Sequence, residues 1–276
     1  MTLDVQLVAS DLDGTLLQPP VRRRDGQRAD RVDLGSITER TRTVLDRLRA
    51  DGVEVVAVTG RPPRWVHAID IGPGLAICSN GALVVDLQTE EVVVERALAP
   101  DAAAEVVRRL RALHPEGHFA VEFADGVAIE PAWAETIPRA LAGEHVGPAE
   151  ELVVRPAAKV LMKVPGTEGD AFIDGATEAV GDIAEVTASG GLQLVEVSAP
   201  GVDKATTLAL LCDERGIPPE RVVAFGDARN DLAMLAWAGT GVAMGDAHPS
   251  VIEAADHVTG TNADDGVAAW LEQNVL

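Results

Sequence analysis

The sequence predicts an α/β fold: a parallel sheet with helices on both faces, interrupted by an inserted α+β segment. Three observations carry this. Short unbroken apolar runs alternate with helix-spaced segments at both ends of the chain. Those runs end in Asp, Thr-Gly or Asn-Gly, and the middle of the chain is written instead in longer, alternating strands. Runs that are apolar at every residue suit strands covered on both faces, whereas alternation suits an antiparallel sheet with one covered face.

Taken in order, "VQLVAS" is the first buried strand. After a polar loop, Thr41, Val44, Leu45 and Leu48 recur at helical spacing, and Gly52 closes that helix. "VEVVAVTG" and "GLAICSNG" are the second and third strands. The middle strands are "EVVVERALA", "FAVEFADGVAIE", "AAKVLMKV" and "AEVTAS", with helices near Asp101–Leu113 and Glu168–Val180 between them. The tail returns to the first pattern. "DKATTLALLCDERG" is a helix, "RVVAFGD" a strand, "NDLAMLAWAG" a helix, "TGVAMGD" a strand, "PSVIEAAD" a helix opened by proline, and "DGVAAWLEQN" a last helix. The expected division is therefore 1–84 with 190–276 for the parallel-sheet core, and 85–189 for the insertion.

The 276 residues suffice for one large domain or two modest ones, and 47% hydrophobic residues with mean hydropathy +0.11 describe a globular chain. A net charge of −21 argues against nucleic acid or an anionic membrane as partner. A small anionic substrate answers to the local field of a pocket and is not excluded. Cys78 and Cys212 read as core residues of a reducing compartment rather than a disulfide. No basic, apolar leader opens the sequence and no run reaches the length of a membrane span, so cytoplasm is expected. With 3% aromatic residues and no tyrosine there is no obvious interface patch, which favours a monomer.

The polar residues are informative by position. Asp11 and Asp13 follow the first strand, Thr59 and Gly60 end the second, Asn80 and Gly81 end the third, and Asp227 follows "VVAFG". Carboxyl ends of parallel strands share one edge, so these groups should converge. Asp11, Asp13, Asp227 and Asp231, with Asn230, then crowd one crevice and call for a hard cation; oxygen-only ligation points to Mg²⁺. Lys204 is the second clue. The chain has 20 arginines but three lysines, and this one starts a helix, where the dipole disfavours a cation. A compact ammonium in that place suits phosphate. A carboxylate beside Mg²⁺ can attack phosphorus, and a second carboxyl two residues on can carry the proton. Mg²⁺, Lys204 and the Thr59 hydroxyl would neutralise the equatorial oxygens.

In order and spacing, "DLDGTLL", "VTGR", "DKATTL" and "GDARND" resemble the four motifs of the haloacid dehalogenase (HAD) superfamily. "SNGA", "GVAMGDA" and "DDGVAAWL" resemble its Cof-like hydrolase branch. The resemblance implies a Rossmann-like core and a large α/β cap, the inserted middle, closing over the site. It implies that Asp11 is the nucleophile and Asp13 the acid/base. Asp11, the Asp13 backbone carbonyl and Asp227 would ligate Mg²⁺, with Asp231 supporting the metal directly or through another group. Thr59, Gly60, Lys204 and Asn230 would hold the phosphate. Two departures stand out: the loop "QPPVRRRDGQRADRVD" is longer and more basic than usual, and Asp246 replaces the common Asn in "AMGDA".

The expected activity is that of a Mg²⁺-dependent phosphatase forming an aspartyl-phosphate, with small phosphomonoesters, sugar phosphates or related metabolites, as substrates. A phosphomutase is the nearest alternative, and a non-catalytic regulator storing an aspartyl-phosphate is the alternative from another class. Asp13 argues against the regulator, because an acid/base there speeds hydrolysis, and so does an insertion that excludes water. Trp65, His67, Trp133, His114, His118 and His145 are weighed as pocket residues, with packing the simpler role for each. Arg22, Arg23 and Arg24 form a basic run whose simpler reading is a solvated loop, with attraction of an anionic leaving group as the functional alternative.

Overall fold

The computed structural model describes residues 3–19, 34–135, 145–167, 169–188 and 194–276; the Arg22–Arg24 run lies outside them. β1 (Leu7–Ser10) is buried at every residue because parallel partners flank it on both sides. α1 (Glu39–Ala50) starts at Thr38, whose hydroxyl accepts the Thr41 N–H at 3.1 Å, and buries Thr41, Val44, Leu45 and Leu48. β2 (Glu54–Val58), the short α2 (Pro63–Val66) and β3 (Leu75–Cys78) follow, with β2 and β3 extending the parallel sheet. β4 (Leu83–Asp86) and β5 (Val92–Glu95) then run back antiparallel along the same sheet.

The chain next builds a second sheet. Its elements are α3 (Pro100–Leu113), β6 (His118–Phe123), β7 (Gly126–Ile129), α4 (Pro131–Ala134), β8 (His145–Val146), α5 (Ala149–Leu152), β9 (Lys159–Lys163), α6 (Asp170–Val180), β10 (Glu185–Ala188) and β11 (Leu194–Ser198). The strand order is β10-β11-β9-β6-β7-β8. Alternation sorts the side chains. Phe119, Val121, Val160, Met162, Val195 and Val197 form a core with Val106, Val107 and Leu110 of α3 and Phe172 of α6. Their neighbours Ala120, Glu122, Lys159, Leu161, Lys163, Leu194 and Glu196 take the opposite face and look into a cavity shared with the first sheet.

The tail completes the first sheet with α7 (Lys204–Arg215), β12 (Val222–Gly226), α8 (Leu232–Trp237), β13 (Thr240–Ala243), α9 (Pro249–Ala254), β14 (His257–Val258) and α10 (Gly266–Asn274). The eight strands run β14-β13-β12-β1-β2-β3-β4-β5, parallel from β14 to β3. α1 packs on α10 and α7 on α8, which clothes the two faces. No helix of the described residues is long and apolar enough to cross a membrane.

Both boundaries expected from the sequence need correction. β4 and β5 pair with the first sheet, so that sheet continues to Glu95 rather than ending at residue 84. β5 is an edge strand with a largely exposed pattern, and its half-polar writing mimics the insertion. β11 pairs with β9 and β10, so the second sheet extends to Ser198, past residue 189. It is buried throughout and therefore reads like a strand of the parallel core.

Gly81 joins the β3 end to α7. Its φ is +106°, and a Cβ there would fall inside van der Waals contact with the Asp203 carbonyl oxygen. The Thr207 hydroxyl, in turn, donates to the Gly81 carbonyl at 2.8 Å. Gly81→Ala is expected to lower stability by about 2 kcal/mol, a fall in Tm of roughly 4–8 °C. Thermal unfolding measures it, and an unchanged Tm would show that loop and helix part without cost.

Candidate active site

The strand order departs in opposite directions from the β1–β12 pair, which opens a crevice at the carboxyl ends of these two strands. Asp11 follows β1 and Asp227 follows β12; Asp231 closes the tight turn Arg229–Asp231 before α8. Oxygens of Asp11, Asp227 and Asp231 lie within 4.8 Å of one another. Lys204, first residue of α7, sits fully buried among them. Its Nζ donates to Asp11 Oδ1 and to Asp231 Oδ1, each at 2.6 Å. The other Asp231 oxygen accepts the backbone N–H groups of Asp227 and Ala228 at 3.1 and 3.0 Å. Asp227 Oδ1 accepts the Thr15 hydroxyl at 2.9 Å. Gly14, beside it, has φ +79°, and a Cβ there would collide with the Asp227 carboxylate.

The electrostatics point one way. Burial pushes the Asp11 carboxyl well above the usual carboxylate range, against the pull of Lys204. Burial, with Asp231 alongside, pushes Asp227 up to about 6. Burial pulls Lys204 down, but Asp11 and Asp231 hold it above the ordinary lysine range. Three carboxylates against one ammonium leave the cluster short of positive charge. An all-oxygen donor set with surplus negative charge fits a hard cation.

Asp13 is placed differently. Its side chain is 59% exposed and points to Arg61, which grips it with Nε at 2.7 Å and Nη2 at 2.5 Å. Its carboxylate is therefore outside the cluster of the other three. The Thr59 side chain is buried, and its Oγ1 accepts the Arg61 N–H at 3.1 Å. Gly60 lines the cavity, as does Asn230, whose amide donates to Asn80 Oδ1 at 3.3 Å. Asn80 and its neighbour Ser79 are both left-handed, with φ of 56° and 50°, a strained pair for residues other than glycine.

A cavity of about 620 Å³ opens over this edge. Asp11, Asp13 and Asp227 line its floor; Ala120, Ile129, Leu161 and Leu194 of the second sheet, with Trp133 of α4, line its roof. A second buried ammonium joins the two. Lys159 Nζ donates to the Gly60 carbonyl at 2.8 Å and to Glu196 Oε1 at 2.9 Å, with Glu122 Oε2 at 3.5 Å. Glu196 Oε2 also accepts the Asn80 amide at 2.6 Å. Arg61, Lys159, Glu122 and Glu196 were not singled out from the sequence. The available signal was a charge on one alternating face of an otherwise apolar strand, in "AAKVLMKV", "FAVEF" and "LVEVS". Trp65 and Trp133 line the cavity, His67 does not, His114 packs edge-on against Phe172, and His145 is exposed.

Comparison with known proteins places the chain in a family. A family model for haloacid dehalogenase-like hydrolases matches residues 8–271. A Bacillus subtilis 5-amino-6-(5-phospho-D-ribitylamino)uracil phosphatase is 30% identical over 99% of this chain and 97% of its own. An Escherichia coli pyridoxal phosphate phosphatase is 28% identical over 99% of this chain and 100% of its own. A solved structure from Thermotoga maritima superposes with a TM-score of 0.75 at 27% identity, covering 98% of this chain and 97% of that one. With its parallel sheet, its inserted second sheet and a family match over nearly its whole length, the chain belongs to the haloacid dehalogenase-like hydrolases.

Proposed function

We propose that the protein is a Mg²⁺-dependent phosphatase that releases orthophosphate from small phosphomonoesters through an aspartyl-phosphate on Asp11. The observation that carries this reading is the buried Asp11–Lys204–Asp231 cluster, with Asp227 beside it, at the floor of the cavity between the two sheets. Two relatives at near-full coverage, named as phosphatases of a phosphorylated ribitylaminouracil and of pyridoxal phosphate, support the substrate class. A cavity of about 620 Å³ suits a metabolite rather than a macromolecule.

Asp11, Asp227 and Asp231 would hold the Mg²⁺, which when bound supplies the positive charge that keeps Asp11 ionised and offsets the phosphoryl oxygens. Lys204 fixes one Asp11 oxygen by its hydrogen bond, leaving the other for attack on phosphorus. Asp13 would protonate the departing oxygen and then take a proton from the water that hydrolyses the acyl phosphate. Because the Arg61 fork holds it as the carboxylate, it must leave that fork and gain a proton before it can act as the acid. Thr59, the Gly60 amide, Lys204 and Asn230 receive the phosphoryl oxygens. The apolar roof of the second sheet excludes bulk water.

Phosphate release from a panel of phosphorylated metabolites, with Mg²⁺ and with EDTA, tests the reading. Asp11→Asn is expected to reduce turnover on the order of 10³-fold or more, and Asp13→Asn about 10²–10³-fold, both without loss of fold. Near-normal release by Asp11→Asn would sink the mechanism.

The metal itself gives a second test. Asp227 sits near 6 and Asp11 is also raised, so the metal-free fold binds protons more tightly than the unfolded chain. Metal-free stability from these groups is therefore gained as pH falls through about 6, while protons displace the cation. The increase in Tm on adding Mg²⁺ should be larger at pH 7.5 than at pH 5.5, read by thermal unfolding. An increase that is equal at both values would show that these carboxylates do not hold the metal.

A further inference from the structure

All three lysines of the chain, against 20 arginines, gather around this one site. Two of them are compensated: Lys204 lies between Asp11 and Asp231, and Lys159 between Glu122 and Glu196. Lys163 is different. It lines the roof with its ammonium 4.4 Å from the ring centre of buried Trp133. Its strand neighbours are His118 on one side and Leu194 on the other. Among the described residues no carboxylate pairs with it. The acids on the same face of this sheet's described strands, Glu122, Glu196 and Glu185, lie toward the Lys159 end. Glu122 and Glu196 are occupied there, and Glu185 stands opposite Ser198, at the far end of β11 from Leu194.

Lys159, Leu161 and Lys163 alternate onto the cavity face of β9. Lys159 touches Gly60, at the phosphate end of the site. Lys163 is four residues further on, a separation of about 13 Å along the strand. Burial lowers the Lys163 ammonium from its ordinary range, as expected for a cation that lacks a counter-charge. Leu161, Leu194 and Ile129 around it offer nothing polar. An aromatic face holds a cation in place but does not neutralise it.

Resting on the phosphatase reading above, we propose that Lys163, propped on Trp133, binds a second anionic group carried at the far end of the substrate's leaving group. The favoured substrates are then extended phosphomonoesters ending in a carboxylate or a second phosphate. The phosphoryl group binds over Asp11, and the tail lies along β9 beneath the apolar roof to reach Lys163.

The test uses matched substrates that differ in the tail: open-chain 6-phosphogluconate against open-chain glucitol 6-phosphate, and fructose 1,6-bisphosphate against fructose 6-phosphate. The wild type should prefer the charged member of at least one pair in kcat/KM. Lys163→Met should lower kcat/KM for that member at least 10-fold more than for its neutral partner, through KM, while Lys163→Arg keeps most of the preference. Loss confined to the first pair identifies a carboxylate as the tail, and loss confined to the second identifies a phosphate. No preference in the wild type, or an equal effect of Lys163→Met on both members, overturns the proposal. p-Nitrophenyl phosphate separates the two readings. Its hydrolysis, lost in Asp11→Asn, upholds the phosphatase whatever Lys163 does, and no release from any compound overturns both.

Discussion

A single ammonium organises the floor of the site. Lys204 contributes its charge to Asp11 after β1 and to Asp231 after β12, segments more than two hundred residues apart in sequence. Burying such ions is costly, and their attraction repays the cost only where the geometry is good and the remaining oxygens are satisfied. Here they are. Asp231 spends its second oxygen on two backbone N–H groups, which fixes the turn carrying Asp227 and Asn230. The helix that delivers Lys204 is itself fixed by a capping box: Asp203 accepts the Thr206 N–H at 2.6 Å, and the Thr206 hydroxyl accepts the Asp203 N–H at 3.1 Å. The network is thus a device for register as much as for stability. Its remaining surplus of negative charge makes it a binding site rather than a finished salt bridge.

A parallel arrangement ties roof to floor. Lys159 donates to the Gly60 carbonyl of the first sheet while paired with Glu196 of the second. Glu196 takes the Asn80 amide, and Glu122 takes the Ser79 hydroxyl at 3.4 Å and Arg64 at 3.3 Å. Each of the two loops that follow β2 and β3 is therefore gripped by the second sheet. The left-handed conformations of Ser79 and Asn80 are held by these same bonds. Left alone, each would cost about 1–3 kcal/mol. Closing the cavity and shaping the loops beneath it are one set of interactions.

How far the sequence revealed this depends on what kind of signal each residue leaves. Strands buried on both faces leave unbroken apolar runs, so the parallel sheet was legible, and the rule that strand ends share an edge brought Asp11, Asp227 and Asp231 together before any coordinates. Pairing is a different matter. Arg61 stands in the quoted "VTGR", yet nothing in its spacing distinguishes it from nineteen other arginines, so its grip on Asp13 was invisible. Lys159, Glu122 and Glu196 were hidden by the apolar strands around them, because a lone charge in such a run looks like the solvent face of an alternating strand. The edge hairpin β4–β5 and the fully buried β11 were misassigned for the complementary reason. Local pattern reports how a strand is covered, not which sheet covers it.

The division of labour between the two basic residue types follows from their shapes. The arginines form exposed or half-exposed pairs such as Arg40–Glu272, Arg108–Glu105 and Arg155–Asp125, where a long planar fork loses little by lying on the surface. The positions between paired carboxylates demand something else. Two oxygens 2.6 Å from one nitrogen leave room for a compact head with three rotatable donors, and a guanidinium would force the carboxylates apart. Two of the three lysines fill such positions, so lysine in this chain marks a place where charge must be concentrated at a point and kept out of water. Lys163 shares the setting and the residue type, but among the described residues no carboxylate completes it as carboxylates complete the other two. The same logic that explains Lys204 and Lys159 therefore makes a ligand anion the natural partner for Lys163.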